Sequence, residues 1–399
     1  MKKINIYPIK SIMSHDELIS NDSLNLINHL KQIDNDLEFN YIYELNEETI
    51  NDNALLLVLV QSGGSENYFK EHIFKYFNGP YYLLTYSSSN SLAASLEILS
   101  FIKDQNRSGE ILHGNDDYIV KRINELSKLK NKKEVNLGVI GKPSDWLIAS
   151  NVDYKIVKQK FNINLIDINQ NELIELIKKD VENYQSDFNY DKHELNKALI
   201  VKEAIKKLIN KYHLSGFTIR CFDLIKEVEA TACIALSILN DEGIIAICEG
   251  DIPSLITAYL IKDYLDVLSF QANPQEIDPI NNIVSFAHCT IPLSMCISYQ
   301  LMTHFESNSS VAIKGEMEEK EVTVVKINAL MNEFYLSSGT IINNGNRMDR
   351  CRTQIDVKLD SDASYFLTSP LANHHLIIYG NHEVELNNYF KSLGLRRVI

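Results

Sequence analysis

The feature that most constrains the fold is a change in hydrophobic periodicity near residue 288. Before that point, short apolar runs such as residues 55–60 alternate with segments whose apolar residues recur every three or four positions. Strands that alternate with helices in this way are typical of βαβ units and predict mostly parallel sheets. After that point, runs such as residues 321–327 alternate with period two, which predicts antiparallel strands. The expected fold class is α/β, with two doubly wound parallel-sheet domains followed by a β-rich, barrel-like domain.

Length and local composition indicate how this pattern divides into domains. The chain has 399 residues, which at about 100 to 200 residues per domain allows two or three domains. The lysine-rich segment 128–134 has the composition of a solvated linker. We therefore expect an N-terminal α/β domain at 1–132, a second α/β domain at 133–285, and a C-terminal β-rich domain with a closing helix at 286–399.

The charge balance and the hydropathy pattern argue against several classes of partner. The chain carries 39 Lys and Arg against 53 Asp and Glu, a net charge of −14. It has no basic block with interleaved aromatic residues, so nucleic acid is not an expected partner. The apolar run at residues 54–60 is far shorter than the roughly 20 residues that cross a bilayer, and no secretory pattern is evident. We expect a cytoplasmic protein that does not bind a membrane.

Two loops follow strongly apolar strands, where an open α/β sheet places its ligands. Residues 61–65, Gln-Ser-Gly-Gly-Ser, follow the first such strand and are read either as a ligand loop or, more simply, as a strand-to-helix turn. In the second loop, Glu249 is a lone acid after a run of apolar residues, which favours a site residue over a solvated turn residue. Asp251 stands where it either caps the next helix or also contacts a substrate.

Several further polar residues stand at predicted strand ends. Asn273 and His288 each end an apolar run, and His374 and His375 precede another. Adjacent strand residues point to opposite faces, so only one of the two tail histidines can readily face a given site. Acids and imidazoles without thiolate favour Mn²⁺ or Mg²⁺ over a structural zinc ion. The six cysteines lack the CxxC spacing of a zinc or redox site.

At these residues the chain resembles the L-fucose isomerase and L-arabinose isomerase superfamily, specifically the short L-fucose isomerase-like proteins. The resemblance covers the second and third expected domains and rests on the joint order of several short segments. These segments are residues 141–150, 220–222, 248–251, 287–289, 351–354, 373–375 and 379–380.

The resemblance implies aldose–ketose isomerisation of an open-chain sugar or sugar derivative. It also implies a homo-oligomer whose active sites lie near subunit contacts, and a divalent metal, Mn²⁺ or another cation such as Mg²⁺ or Co²⁺. Carried over by position, Glu249 matches the first acidic metal ligand, and His374, or else His375, matches the C-terminal histidine ligand. His288 matches the histidine on or near the metal in the arabinose isomerase branch.

The chain departs from the family pattern at one position, because Asn273 stands where the second acidic ligand is expected. Asparagine offers a carbonyl oxygen to a metal but cannot take a proton. Three outcomes are open: Glu249 acts as the sole base, a nearby acid such as Asp251, Glu276 or Asp278 takes over, or the chain has left isomerase chemistry. The alternatives to an isomerase are a non-catalytic carbohydrate-binding paralogue and an epimerase or lyase that uses the same metal-enediolate site.

Two more residues are candidates for substrate binding. Trp146 is the only tryptophan, and its ring is suited either to stacking on a sugar or to anchoring a domain interface. Arg352 presents a fixed fork of donors that binds a hydroxyl pair or an anionic group, or forms an internal salt bridge. The predicted site therefore contains Glu249, Asn273, His288, His374 or His375, Trp146, Arg352 and Asp251.

Overall fold

The computed structural model describes residues 1–11, 18–46, 49, 54–105, 107–130 and 133–398, without the side chains at 129 and 130. Residues 131 and 132 of the predicted linker, including the predicted boundary at 132, lie outside the described residues. The chain divides into two compact units. The first consists of Met1–Lys133 and Phe390–Leu395, and the second consists of Glu134–Tyr389 and Arg396–Ile399.

The first unit contains a five-stranded parallel sheet with strand order β2-β1-β3-β4-β5. Its strands are β1 (Lys2–Ile9), β2 (Leu37–Tyr41), β3 (Leu55–Val60), β4 (Tyr81–Leu84) and β5 (Gly109–Leu112). Its helices are α1 (Asn21–Ile33), α2 (Glu66–Phe69) continued by a π-helical turn (Lys70–Phe74), α3 (Ser91–Asp104) and α4 (Asp116–Lys130). Every residue of β3 is buried, because helices pack on both faces of a doubly wound sheet.

The second unit begins with a four-stranded parallel sheet with strand order β7-β6-β8-β9. Its strands are β6 (Val135–Ile140), β7 (Ile163–Ile168), β8 (Leu214–Ile219) and β9 (Ile245–Cys248). Its helices are α5 (Tyr154–Phe161), α6 (Gln170–Lys179), α7 (Lys192–Tyr212), α8 (Phe222–Val228), α9 (Cys233–Asp241) and α10 (Ile252–Leu265). Asp251 caps α10 by accepting a hydrogen bond from the backbone N–H of Ser254.

A closed antiparallel β-barrel completes the second unit. Its strands are β10 (Phe270–Asp278), β11 (Ile283–His288), β14 (Glu321–Ile327), β15 (Glu333–Asn344), β16 (Thr353–Leu359) and β17 (His375–Tyr379). They pair in the order β14-β17-β10-β11-β16-β15, and β15 pairs with β14 to close the barrel. A short strand, β18 (Arg396–Arg397), adds to β15 in parallel. The expected fold class, parallel α/β sheets followed by an antiparallel barrel, is confirmed.

Three features of the second unit determine where its functional side chains lie. Helix α10 is buried along residues 252–261 because it packs on β8 and β9 and also on β14 and β17, so it joins the sheet to the barrel. A separate hairpin consists of β12 (Cys296–Met302) and β13 (Ala312–Met317). Helix α11 (Tyr365–Thr368) lies between β16 and β17, and α12 (Glu383–Ser392) follows β17. Among the described residues, no helix combines the length and the apolar character that a membrane span requires.

Candidate metal centre

Glu249 lies directly after β9, in a turn with an uncommon backbone conformation. Its φ is 63°, a left-handed conformation that few residues other than glycine adopt, and the φ of Gly250 is 71°. A Cβ at Gly250 would lie 2.6 Å from the backbone oxygen of Lys142, so only glycine fits there. The backbone N–H of Ser144 donates to the carbonyl oxygen of Glu249 at 3.0 Å. This turn therefore sets the direction of the Glu249 side chain.

Asn273, His288 and His374 lie on or directly next to three neighbouring strands of the barrel. β10 lies between β17 and β11, with Ala272 opposite His375 and Asn273 opposite Ala287. This register places Asn273 beside His374, which precedes β17, and near His288, which ends β11. The order of the strands therefore gathers residues that are up to 101 positions apart in the sequence, from Asn273 to His374.

Glu249, His288 and His374 form a compact, buried group. The Oε1 atom of Glu249 lies 3.4 Å from Nε2 of His288 and 3.6 Å from Nε2 of His374. One ligand atom from each residue lies within 4.8 Å of the others. The two imidazole rings are 5.4 Å apart between centroids, at an angle of 64°. One carboxylate and two imidazoles at these distances form a donor set that suits a divalent cation.

Three polar atoms in or beside this group lack hydrogen-bond partners. Nε2 of His288, Nε2 of His374 and Oδ1 of Asn273 are buried and have no hydrogen-bond partner among the residues that the structure describes. Buried polar atoms are rarely left without a partner, because the lost interaction with water costs about 1–3 kcal/mol each. Three such atoms next to one carboxylate indicate a place for a ligand.

A second set of buried groups lies on the Nδ1 side of the His374 ring. Nδ1 of His374 lies 2.9 Å from Oδ2 of Asp251, and Nζ of Lys326 lies 3.3 Å from the same oxygen. Lys326 also donates to the hydroxyl oxygen of Ser254 at 3.0 Å. An ionised carboxylate only accepts hydrogen bonds, so Nδ1 of His374 carries the hydrogen. When His374 is neutral, it presents the lone pair of Nε2 to the cluster, as a metal ligand must.

The electrostatics of the cluster follow from this arrangement. Burial alone would raise the pKa of the Glu249 carboxyl, but His374 and His288 lower that pKa well below its usual value. Burial alone would lower the pKa of His374, but Glu249 and Asp251 raise it to about 9. Burial lowers the pKa of His288, and the neighbouring Glu249 opposes this effect only in part. The carboxylate is therefore charged at neutral pH.

Trp146 and Arg352, the two further candidates for substrate binding, contact Glu249 and the segment after β12, respectively. The indole N–H of Trp146 donates to Oε2 of Glu249 at 2.8 Å, and its ring meets the ring of Phe222 edge to face. Arg352 is buried, and its Nε donates to the backbone oxygen of Thr303 at 2.9 Å. Trp146 thus orients the carboxylate, and Arg352 fastens the segment that follows β12.

The two adjacent tail histidines have different surroundings. His374 joins the cluster, whereas His375 is enclosed among aromatic residues of the barrel, with its Nε2 3.1 Å from the hydroxyl of Tyr365. Burial, together with the charge of Lys326, lowers the pKa of His375 to about 3, so its ring is neutral. Asp251 is also buried and is fully engaged with Lys326, His374 and Ser254.

A cavity of about 50 Å³ lies beside the cluster, and it has lining residues that sequence reasoning missed. Glu249, Asn273 and His288 line it together with His304 and Glu306 from the segment between β12 and β13. Five of the six cysteines also line it: Cys221, Cys233, Cys248, Cys289 and Cys351. A polar segment between two strands is typical of any hairpin loop, so no local signal distinguished His304 and Glu306.

Comparison with known proteins identifies one group of similar chains. No family model matches the chain. It is similar to two proteins named sulfoquinovose isomerase, from Priestia aryabhattai and Priestia megaterium, each 21% identical over 336 residues that cover 74% of this chain and 73% of the relative. A protein of the same name from Alkalicoccus urumqiensis is 24% identical over 219 residues, which cover 50% of this chain and 49% of the relative.

Proposed function

We propose that this protein is a metal-dependent aldose–ketose isomerase of the L-fucose and L-arabinose isomerase type, acting on an open-chain sugar or sugar derivative. The observation that carries the proposal is that ligand atoms of Glu249, His288 and His374 lie within 4.8 Å of one another, while Nε2 of both histidines lacks a hydrogen-bond partner among the described residues. The similarity to three proteins named as sugar isomerases supports it independently. Sulfoquinovose, the sugar in those names, is the first substrate to test.

In this proposal Glu249, His288 and His374 hold a divalent cation, with Oδ1 of Asn273 as a fourth protein donor. Mn²⁺ is the first candidate, because one carboxylate, one amide oxygen and two imidazoles form a mixed oxygen and nitrogen set without thiolate. Asp251 and Trp146 keep the two strongest donors in position, since one hydrogen-bonds His374 and the other hydrogen-bonds Glu249. Such supporting partners are expected at a metal site.

The bound cation would supply Lewis-acid stabilisation of the negative charge that develops on the sugar oxygens during enolisation. The protein residues bind and orient the open-chain sugar so that C1 and C2 lie next to the cluster. We infer that the reacting end of the substrate lies in the cavity beside the cluster and that the rest extends past Glu306, an exposed residue of the lining.

The test combines a metal assay with a conversion assay. Purified protein should bind Mn²⁺ and convert sulfoquinovose, L-fucose or L-arabinose to the corresponding ketose, as followed by NMR. Glu249→Gln removes the charged ligand and should weaken Mn²⁺ binding about 100-fold or more, with loss of conversion. Glu97→Gln, an exposed residue on α3, is the matched control and should change neither property. Unchanged Mn²⁺ binding and conversion in Glu249→Gln would refute the proposal.

A second candidate function is sugar binding without turnover, and Asn273 is the observation in its favour. An amide at this position removes one carboxylate that the isomerase pattern expects, and it cannot exchange a proton. Measurable sugar binding without any exchange of the C2 hydrogen with solvent would favour this function. An epimerase or lyase that uses the same site would instead show exchange with a different product by NMR.

A further inference from the structure

Isomerisation of an aldose needs a group that removes the C2 proton and returns a proton to C1. Asn273 cannot do this, because a carboxamide is not a base at neutral pH. Glu249 is poorly suited as well, because its oxygens face two histidines and the indole of Trp146 and it is itself a proposed metal ligand. The proposed chemistry therefore lacks a proton carrier within the cluster itself.

The other acids near Asn273 in the sequence or the fold are engaged elsewhere. Asp251 is buried against Lys326 and His374. Glu276 forms ion pairs with Arg347 at 2.7 Å and with Arg350 at 3.3 Å. Asp278 accepts hydrogen bonds from the backbone N–H groups of the turn that follows β10. None of these three carboxylates lines the cavity beside Glu249.

Glu306 differs from these acids in both position and bonding. It lines the same cavity as Glu249, Asn273 and His288, and it is exposed where Glu249 and His288 are buried. Among the described residues it forms no hydrogen bond and no ion pair. A carboxylate that borders a cavity without a counter-ion is available to a ligand.

The segment that carries Glu306 is held in place on both sides. The backbone N–H of His304 donates to the oxygen of Ser309 at 3.0 Å, and the N–H of Asn308 donates to the oxygen of His304 at 2.9 Å. Arg352 fastens Thr303, and the ring of His304 lies 5.6 Å from the ring of Phe222. These contacts keep Glu306 next to the cavity.

The surroundings of Glu306 also suit proton exchange. Partial burial and the negative charge of Glu249 raise the pKa of its carboxyl above the ordinary value. His304 beside it is neutral at physiological pH, because burial and the charges of His288 and Arg352 lower its pKa to about 4. A base with a pKa closer to neutrality transfers protons in both directions more readily.

We propose that Glu306 is the catalytic base and acid of this protein and replaces the carboxylate that is absent at Asn273. The inference rests on the proposed isomerase function. The Glu306 carboxylate removes the proton from C2, the C–H electron pair forms the C1–C2 double bond, and the carbonyl electron pair moves to O1. A proton then passes from O2 to O1 through water. The electron pair on O2 forms the C2 carbonyl as Glu306 returns its proton to C1, which yields the ketose.

The experiment compares Glu306→Gln with wild type in D₂O, with sulfoquinovose, L-fucose and L-arabinose as probes. NMR follows both the conversion to ketose and the entry of deuterium at C1 and C2, and a titration with Mn²⁺ alone follows metal binding. We expect Glu306→Gln to lower conversion and exchange at least about 100-fold, within the range of a lost general base. Mn²⁺ affinity should stay within about twofold of wild type, because Glu306 is not a proposed ligand.

Two further variants separate catalysis from structure. Glu319→Gln makes the same change at an exposed residue between β13 and β14 and should leave conversion unchanged. Glu306→Asp keeps the carboxylate and should restore part of the exchange, together with the acidic limb of the pH profile that Glu306→Gln lacks.

The outcomes distinguish this inference from the function on which it rests. If wild type converts a sugar and Glu306→Gln does so within about threefold of wild type, Glu306 is not the base and the isomerase function stands. If Glu306→Gln and Glu306→Asp both lose Mn²⁺ binding, the role of Glu306 is structural and the inference is overturned. If wild type converts none of the probes and exchanges no deuterium, the isomerase function itself fails.

Discussion

The two parallel sheets of this protein end in polar loops that differ in one respect. At the carboxyl end of β3, both polar atoms of the Gln61 side chain have partners: its oxygen accepts from the N–H of Ser20 at 2.8 Å and the hydroxyl of Ser23 at 3.1 Å, and its amide donates to the oxygen of Leu18 at 3.0 Å. At the carboxyl end of β9, Glu249 faces two histidine nitrogens without hydrogen-bond partners.

This difference shows how to distinguish a polar cluster with a structural role from a functional site. The partners of Gln61 are backbone and hydroxyl groups, which satisfy it without any ligand. Glu249 accepts from Trp146, and its other two neighbours are barrel histidines that each leave Nε2 without a hydrogen-bond partner among the described residues. Both loops follow apolar strands and both contain glycine, so the state of the buried donors and acceptors is the better guide to function.

The largest effect on stability is expected from the charge that supports the β9 loop. Lys326→Met leaves Asp251 buried without its cation, which should lower the free energy of unfolding by about 3 kcal/mol or more. Lys262→Met is the matched control, because Lys262 pairs with the exposed Asp266 and such surface pairs contribute about 0–1 kcal/mol. Urea unfolding of both variants measures the difference in the free energy of unfolding. Equal decreases in the two variants would show that the buried Asp251–Lys326 pair contributes no more than a surface pair.

The next effect concerns metal affinity. His374→Gln removes a nitrogen that has no partner within the protein, and Mn²⁺ binding should weaken about 100-fold, or about 2.7 kcal/mol. His29→Gln changes an exposed histidine of the first unit and should leave Mn²⁺ binding as it is. Titration calorimetry with Mn²⁺ checks both variants. Full Mn²⁺ affinity in His374→Gln would contradict the contrast between the two loops.

A change at the β3 loop should lower the stability of the fold without changing metal affinity. Gln61→Met removes a donor and an acceptor and leaves the N–H of Ser20 and the oxygen of Leu18 with fewer partners, at a cost of about 1–3 kcal/mol in the free energy of unfolding. Mn²⁺ affinity should not change. Gln105→Met, at an exposed glutamine, should be nearly neutral. Loss of Mn²⁺ binding in Gln61→Met, with the fold intact, would mean that the β3 loop is not merely structural.

The last effect is a pH dependence in the metal-free protein. Folding raises the pKa of His374 from 6.5 to about 9, so its contribution to stability is complete below pH 6.5 and is lost as the pH rises through 9. The stability difference between wild type and His374→Gln should therefore shrink across this range, by at most about 1.4 kcal/mol per pH unit. Unfolding curves between pH 6 and 9.5 check this slope. A difference that stays constant would show that His374 is not protonated between its two carboxylates.

Much of the fold was predictable because its signals are local. The apolar run at 55–60 was expected as a strand and is β3. The change to period two near residue 288 predicted the barrel, but the barrel begins earlier, with β10 and β11, and the pattern did not show that its six strands close.

The site was predictable only in part. Glu249, His288 and His374 were singled out from strand ends and motif order, and the structure brings them together. Their role as metal ligands stays a prediction. The hydrogen bond from Trp146 to Glu249 and the burial of Lys326 beneath Asp251 were not foreseen. These contacts join residues 103 and 75 positions apart, a separation that leaves no trace in hydrophobic periodicity.

The sequence by itself determined which segments are strands and helices and which polar residues stand at their ends, because those properties depend on neighbours a few positions away. The tertiary structure alone decided which polar atoms are paired and which are left for a ligand. That outcome depends on how α10 packs between sheet and barrel and on the register that places β10 between β11 and β17. A buried nitrogen becomes available only when every surrounding chain segment is in place and none of them provides a partner.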